Sequence, residues 1–363
     1  MDYHSVFAGG NMNNGWFSAG LAVLIAIAAS TTLRAQSTPY FQGKTILLIQ
    51  GREPGGTGAL RVQAAIPFIK KYLPGEPIIV TQFMPGGGGR KATNYVARNA
   101  KPDGLTFGNV GSGLVANAVL GSTGVEYDID KMIYLGASNS TAQYVFGTSA
   151  KLGLDTLEKL RARSGLRIGA QTVGHDIYIN GRLFSWLLGL KEPKFVTGYS
   201  GPELDVALGG GEIDGRANIP DTILQRSPEH IDKKLMNYHA IIQIPKDDRH
   251  PHPVFNKLPE LETFARADRE RKIMIMFRTF RLVGSPYILP PGTPPEIVGI
   301  FREAMRKTFR DPAFLKEFKR LSADDATPLL PEAQEKAIKD IPRDADVIAL
   351  FNKLAGAESL PAR

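Results

Sequence analysis

The run with the clearest chemical potential is Gly51-Arg52-Glu53-Pro54-Gly55-Gly56-Thr57-Gly58. Few of its side chains would fill a core, and glycine lets a backbone approach a guest closely. An apolar stretch, Thr45–Gln50, precedes it, and a helical pattern follows from Ala59. Strand, glycine loop and helix N-terminus in that order aim backbone N–H groups and the positive end of a helix dipole at one spot. The preferred guest of such a spot is an anion. A tight strand-to-helix turn with no guest would use the same glycines. The run also resembles a phosphate-binding P-loop in the spacing of Gly51 and Gly56. Thr57 stands where that loop needs lysine, and Gly58 where it needs a hydroxyl, so no nucleotide site is expected.

Other side chains with chemical capacity are sparse. His175 beside Asp176 has the types for acid–base work, but no serine in a nucleophile-elbow context accompanies the pair, and His175 reads as a binding or capping residue. His250-Pro251-His252-Pro253 has two histidines two apart, with only Asp247 and Asp248 near; a solvated loop is the expectation rather than a metal site. Arg278 and Arg281 flank Phe280 in what reads as a strand, where an outward-facing charge is the ordinary case.

The elements that must position these residues alternate between strand and helix, which predicts an α/β architecture with largely parallel sheets. After the first unit, Ile78–Gln82 reads as a strand, Met84-Pro85-Gly86-Gly87-Gly88-Gly89 as a loop and 90–99 as a helix. Lys101-Pro102-Asp103-Gly104 is a turn, because proline presets φ and Asp-Gly supports reversal. Leu105–Val110 is the next strand, leading into Gly111-Ser112-Gly113. Pro67 is expected to kink or break the first helix near Ile66. An irregular stretch, 137–149, separates this half from a second with the same grammar. There a strand at 166–170 leads through Gln171-Thr172-Val173-Gly174-His175-Asp176 into a helix at 177–188. A strand at 195–197 leads through Gly198-Tyr199-Ser200-Gly201 into another helix, and 214–219 is again a strand. In open α/β sheets ligands sit outside the carboxyl ends of the strands, where these loops lie.

Composition narrows the class. The chain has 363 residues, room for two domains of ordinary size. It contains no cysteine, which excludes disulfides, thiolate metal sites and a cysteine nucleophile. The net charge of +8 is spread along the chain with no basic tail or basic-aromatic motif, so no nucleic-acid partner is expected and a small anionic ligand fits. Trp16–Ala29 is apolar and too short to span a bilayer comfortably, as a signal-peptide core is. Residues 1–35 are therefore expected to be a signal peptide cleaved after Ala35, starting at Met1 or Met12. An uncleaved anchor is the alternative, and no lysine or arginine precedes Trp16.

Three places in the chain resemble the solute receptors of tripartite tricarboxylate transporters, the Bug family of periplasmic binding proteins. Pro54-Gly55-Gly56 follows the first strand, as that family's Pro-Gly-Gly does. Met84-Pro85-Gly86-Gly87-Gly88-Gly89 and Lys101-Pro102-Asp103-Gly104 are similar to its Pro-Gly-x-Gly-Gly and Pro-Asp-Gly pair. Val173-Gly174, Gly181-x-Leu183-Phe184 and Leu208-Gly209-Gly210-Gly211-Glu212-Ile213-Asp214 resemble the pattern that opens and closes the second lobe. The likeness runs over most of residues 44–320.

The resemblance implies a type II, Venus-flytrap fold. Lobe one would take 39–137 plus 282–363, with the C-terminal helices as its covering, and lobe two 138–281. It implies a periplasmic receptor, not an enzyme, with no cofactor and no metal. The ligand would be a small carboxylate and the partner a membrane permease. Two pincer loops would hold the ligand: Gly55, Gly56, Thr57 and Gly58 on one wall, Gln171, Thr172, Gly174 and His175 on the other. Gly111, Ser112 and Asn218 would complete the pocket. The chain departs from the family where an aspartate after Pro-Gly-Gly becomes Ala59 and a second-lobe histidine becomes Tyr178; both positions are expected near the pocket. A periplasmic enzyme acting on a small organic acid, or a ligand carrier for a signalling system, are the other readings.

Overall fold

Thr45–Gln50 forms the first strand for the reason its composition suggests: it lies between two neighbours in a sheet, with Ile46, Leu48, Ile49 and Gln50 buried. The computed structural model describes residues 38–363 except Glu53, Gly56, Ser112, Thr172, Ser200, Ala323, Asp324 and the Thr57 side chain. The expected signal peptide, residues 1–35, lies outside the described residues. Residues from Phe41 to Arg363 make one compact unit holding two five-stranded sheets.

The strands, in chain order, are β1 (Thr45–Gln50), β2 (Ile78–Phe83), β3 (Thr106–Asn109), β4 (Ile133–Tyr134), β5 (Tyr144–Ser149), β6 (Arg167–Gly169), β7 (Lys194–Val196), β8 (Gly215–Asn218), β9 (Met236–Ile242) and β10 (Tyr287–Leu289). Sheet one has the order β2-β1-β3-β10-β4, and sheet two β7-β6-β8-β5-β9. In each, three neighbouring strands are parallel and the next one is antiparallel, β10 against β3 and β5 against β8. The sheets are therefore mixed. Strand β5 comes out of the stretch expected to be irregular; it lies between β8 and β9, and its Tyr144, Val145 and Phe146 are buried.

The principal helices of the first half are α1 (Thr57–Tyr72), α2 (Arg90–Arg98) and α3 (Gly113–Val119). The second half contributes α4 (Leu157–Ala162), α5 (Asp176–Leu188), α6 (Gly201–Gly210) and α7 (Pro220–Arg226). The C-terminal portion adds α8 (Asp268–Leu282), α9 (Pro295–Arg310), α10 (Pro312–Ser322), α11 (Pro331–Lys339) and α12 (Ala345–Ala355). Helix α1 buries Val62, Ala65 and Ile69 against α9 and α10, a stripe at helical spacing. It runs through Pro67 without the expected break: Pro67 and Gln63 are both on the exposed side, so the carbonyl that loses its donor faces water.

The run around Arg278 and Arg281 is the end of α8, not a strand. Its Ile273, Met274, Phe277 and Phe280 join one continuous apolar cluster that includes Val96 of α2, Leu114 of α3, Phe146 of β5 and Phe184 of α5. The chain leaves sheet one after β4, returns through α8 to β10, and a third segment pairs with the first crossing through bridges Ala137–Leu329 and Asn139–Thr327.

Helix α12, expected to cover lobe one, packs instead against α5 and α8. The buried Arg182 explains this. Its Nε donates to the Leu354 carbonyl at 2.7 Å and its Nη2 to the Glu358 carbonyl at 2.7 Å.

Candidate functional site

On sheet one, the loops after β1, β2 and β3 are packed backbone to backbone. A Cβ at Gly51 would lie 2.8 Å from the Val110 carbonyl oxygen, and one at Gly89 would run into the same oxygen. Gly89 is thus a packing device, which needs glycine because no side chain fits, and Gly86 to Gly88 need it for their positive φ. Gly55 is exposed with φ +79, and Gly111 has φ +85. Gly58 lies in the first turn of α1, where a Cβ would run into the Arg52 guanidinium. Gly56, Ser112 and the Thr57 side chain, three of the expected ligand contacts, lie outside the described residues.

Arg52 is the residue that the sequence reading passed over. Its Nη2 donates to Asn109 Oδ1 at the end of β3, and the Asn109 amide donates to the Ser285 carbonyl at 2.9 Å. Burial pushes the guanidinium below its ordinary value, Tyr287 pulls it up and neighbouring Arg61 pushes it down. The available signal was a charged residue inside a glycine loop, a place where a long side chain has few reasons to be.

On sheet two, Gln171, His175 and Asn218 come together around a cavity of about 180 Å3 that also touches Arg216 and Thr222. Gly174 turns the chain with φ +79, just ahead of α5. His175 caps that helix, its Nδ1 accepting from the Ile177 N–H at 3.2 Å. Asn218 is buried and its Oδ1 accepts from the Ile219 N–H at 2.9 Å. Thr172 lies outside the described residues. Arg216 is paired with Asp205 at 2.5 Å, and Arg226 also borders this cavity.

A second cavity, of about 420 Å3, joins the two halves. It is bordered by Arg61 of α1, by Asn139, Ser140 and Thr141 of the first crossing, by Gly284 and Ser285 of the second, and by Asp325 and Thr327. Asp176, Ile219 and Thr222 close it from the sheet-two side, and these residues with Tyr144 also line the smaller cavity. Arg281 borders it too, in an ion pair with Asp176. Burial works against the Arg281 charge, yet Tyr144 and Asp176 hold its pKa above the ordinary value. Arg278, its neighbour in sequence, points elsewhere and pairs with Glu260 and Glu262.

Two expectations are corrected by this geometry. Tyr178 is not at the pocket: it is buried in α5 and its hydroxyl donates to the Gly356 carbonyl at 2.8 Å, holding the C-terminal tail. It borders a groove of about 810 Å3 between α5, β7 and that tail, away from the glycine loops apart from Val173. The histidine pair at 250 and 252 is not a solvated loop either. His250 is buried against Phe255, its Nδ1 accepts from the His252 N–H at 3.1 Å, and His252 caps the following helical turn. Among the described residues, no group of histidine, aspartate and glutamate is placed to hold a metal ion.

No protein-family model matches this chain, and no curated protein sequence does. Solved structures do. A TctC solute-binding protein from Polaromonas is 18% identical, with 86% of this chain and 98% of that one covered and a TM-score of 0.63. The periplasmic binding protein BugD is 16% identical, with 87% and 99% covered and a TM-score of 0.53. MatC from Rhodopseudomonas palustris, solved with bound malate, is 18% identical, with 87% and 100% covered and a TM-score of 0.50. Identities this low speak for architecture alone. Two mixed sheets flanked by helices, joined by crossings that border a shared cavity, give this chain the two-lobed fold of the TctC and Bug solute-binding proteins.

Proposed function

We propose that the chain is an extracytoplasmic solute receptor that closes its two lobes on a small carboxylate and presents the closed form to the permease of a tripartite tricarboxylate-type transporter. The observation that carries this reading is the cavity of about 420 Å3, bordered by both halves and by the crossings between them. A ligand seated there touches whatever moves on closure, and only a ligand that contacts both lobes shifts the open–closed balance. The malate in a protein of the same fold supports a carboxylate as the ligand class. The apolar run at 16–29 supports export, and among the described residues no helix is long and apolar enough to cross a membrane. We place lobe one at 39–137 and from 282 onward, with the C-terminal tail returning to helices of lobe two, which spans 138–281. In the proposed site Gly55, Gly56, Thr57, Gly58, Gly111 and Ser112 serve one end of the ligand, and Gln171, Thr172, Gly174, His175 and Asn218 the other. His175 spends its Nδ1 on a helix cap, which favours binding over acid–base catalysis.

The test is native mass spectrometry of protein recovered from the periplasm, followed by titration of mono-, di- and tricarboxylates of two to ten carbons. A co-purifying or titrating acid that remains chemically unchanged, with a smaller radius of gyration when bound, is the expected result. Absence of binding across the panel, or conversion of the acid, overturns the receptor reading.

A further inference from the structure

A carboxylate stands at the junction of the two cavities, where it would repel the anion that the receptor reading assigns to them. It belongs to Asp176, the first residue of α5, directly after His175. Asp176 lines both the 180 Å3 and the 420 Å3 cavities, and 42% of its side chain is exposed, so the carboxylate is open to a guest in either. Like charges repel strongly in a partly buried site, where water screens them poorly.

Arg281 answers this charge from another element. It lies in the last turn of α8, borders the 420 Å3 cavity, and donates from Nη1 to Asp176 Oδ2 across 105 residues of sequence. The guanidinium sits deeper than its partner, with 18% of the side chain exposed, and Tyr144, the buried first residue of β5, interacts with it as well. The other acids on the larger cavity, Asp221 and Asp325, are largely exposed; the first lies beside His250 and the second is paired with Lys319. On the smaller cavity the remaining charges are the Arg216–Asp205 pair and Arg226. Among the described residues Asp176 is thus the acid that both cavities share, and its pairing with Arg281 sets the charge where they meet.

We infer that Arg281 is a positioning residue that determines the charge of the ligand: by pairing with Asp176 it quenches the carboxylate at the junction of the cavities, so the site admits an anion, and without it the same wall would select an ammonium group. The inference rests on the receptor reading above and adds the device that sets its charge preference. Arg281 acts through Asp176, so the two side chains form one functional unit.

The experiment is titration calorimetry of the parent, Arg281→Gln, Asp176→Asn and the double variant. The probes are the tightest-binding acid from the carboxylate panel and its analogues in which one carboxylate at a time is replaced by a primary amine. Arg281→Gln is expected to weaken the acid by roughly ten- to a hundredfold, the cost of like charges in one site, and to bind one amine analogue more tightly than the parent does. Adding Asp176→Asn to it is expected to restore the acid to within about fivefold of the parent, as a pair that acts as a unit requires. Asp176→Asn alone should bind the acid at least as tightly as the parent; a loss there overturns the inference by itself. Equal losses for acid and amine in Arg281→Gln, or no loss at all, overturn it while leaving the receptor reading intact. A double variant that regains nothing does the same. If Arg281→Gln does not fold, the double variant decides: acid affinity within about fivefold of the parent supports the inference, and a larger loss overturns it. A parent that binds no acid in the panel overturns both.

Discussion

His239 sits in sheet two with 5% of its surface exposed, its Nε2 2.8 Å from Thr148 Oγ1 and its ring against Phe146. Burial pushes its pKa down to about 4 from 6.5. In the unfolded chain the same ring takes a proton near the ordinary value, so between those pH values the unfolded state binds more protons than the folded one. Stability contributed at this site is thus full above about pH 6.5 and falls as the pH drops toward 4. At 1.36 kcal/mol for each tenfold change in proton affinity, the loss reaches about 3 kcal/mol. His239→Gln is expected to flatten the fall in chemical-denaturation stability between pH 6.5 and 4, whatever it costs at neutral pH. An unchanged slope in the variant would assign the acid sensitivity to other groups.

At the scale of elements, the placement of α12 hangs on one side chain of α5. Arg182, 1% exposed, donates to the carbonyls of Leu354, Lys353 and Glu358, which include the C-terminal end of α12. Those carbonyls carry the negative end of a helix dipole, so no carboxylate is required. Phe195 lies face-on to the guanidinium at 5.0 Å. Trp186 Nε1 and Tyr178 hold the same tail through the Pro361 and Gly356 carbonyls. Arg182→Met leaves buried carbonyls without donors and is expected to cost about 3 kcal/mol or more. The change should be local: hydrogen exchange should speed up in α12 and the tail, and proteases should trim residues beyond 355, before sheet one is affected. Loss of protection spread evenly over both sheets would contradict this division.

At the scale of the molecule, the two sheets are coupled where the crossings touch. Gly284 has φ +63, and a Cβ on it would run into the Asn139 carbonyl of the first crossing. Ser140 and Thr327 add a hydrogen bond at 2.7 Å between the first and third segments. Gly284→Val combines a forbidden backbone conformation with a steric wedge in this seam. It is expected to destabilise the fold by at least about 2 kcal/mol. It should also shift the radius of gyration of the ligand-free protein upward in small-angle scattering. A parental scattering curve and Tm would show that the seam tolerates separation and does not set the lobes' relation.

What the sequence determined by itself is what depends on neighbours along the chain. Apolar runs bounded by glycine and proline gave β1, β2, β3, β6 and β8 their places, while His175 read as a binding or capping residue, and the structure shows the cap. The paired strand–loop–helix grammar, with the Pro54-Gly55-Gly56 and Pro102-Asp103-Gly104 turns, was enough for a two-lobed fold. Only the tertiary structure decided matters that depend on partners far along the chain. Strand β5 reads as irregular until β8 and β9 flank it. Arg278 and Arg281 look alike in sequence, yet helical geometry and long-range carboxylates send one to Glu260 and Glu262 and the other to Asp176. Tyr178 counted as a pocket residue by position, but the tail 178 residues later claims its hydroxyl. Whether a charge is compensated is likewise a statement about three-dimensional neighbours.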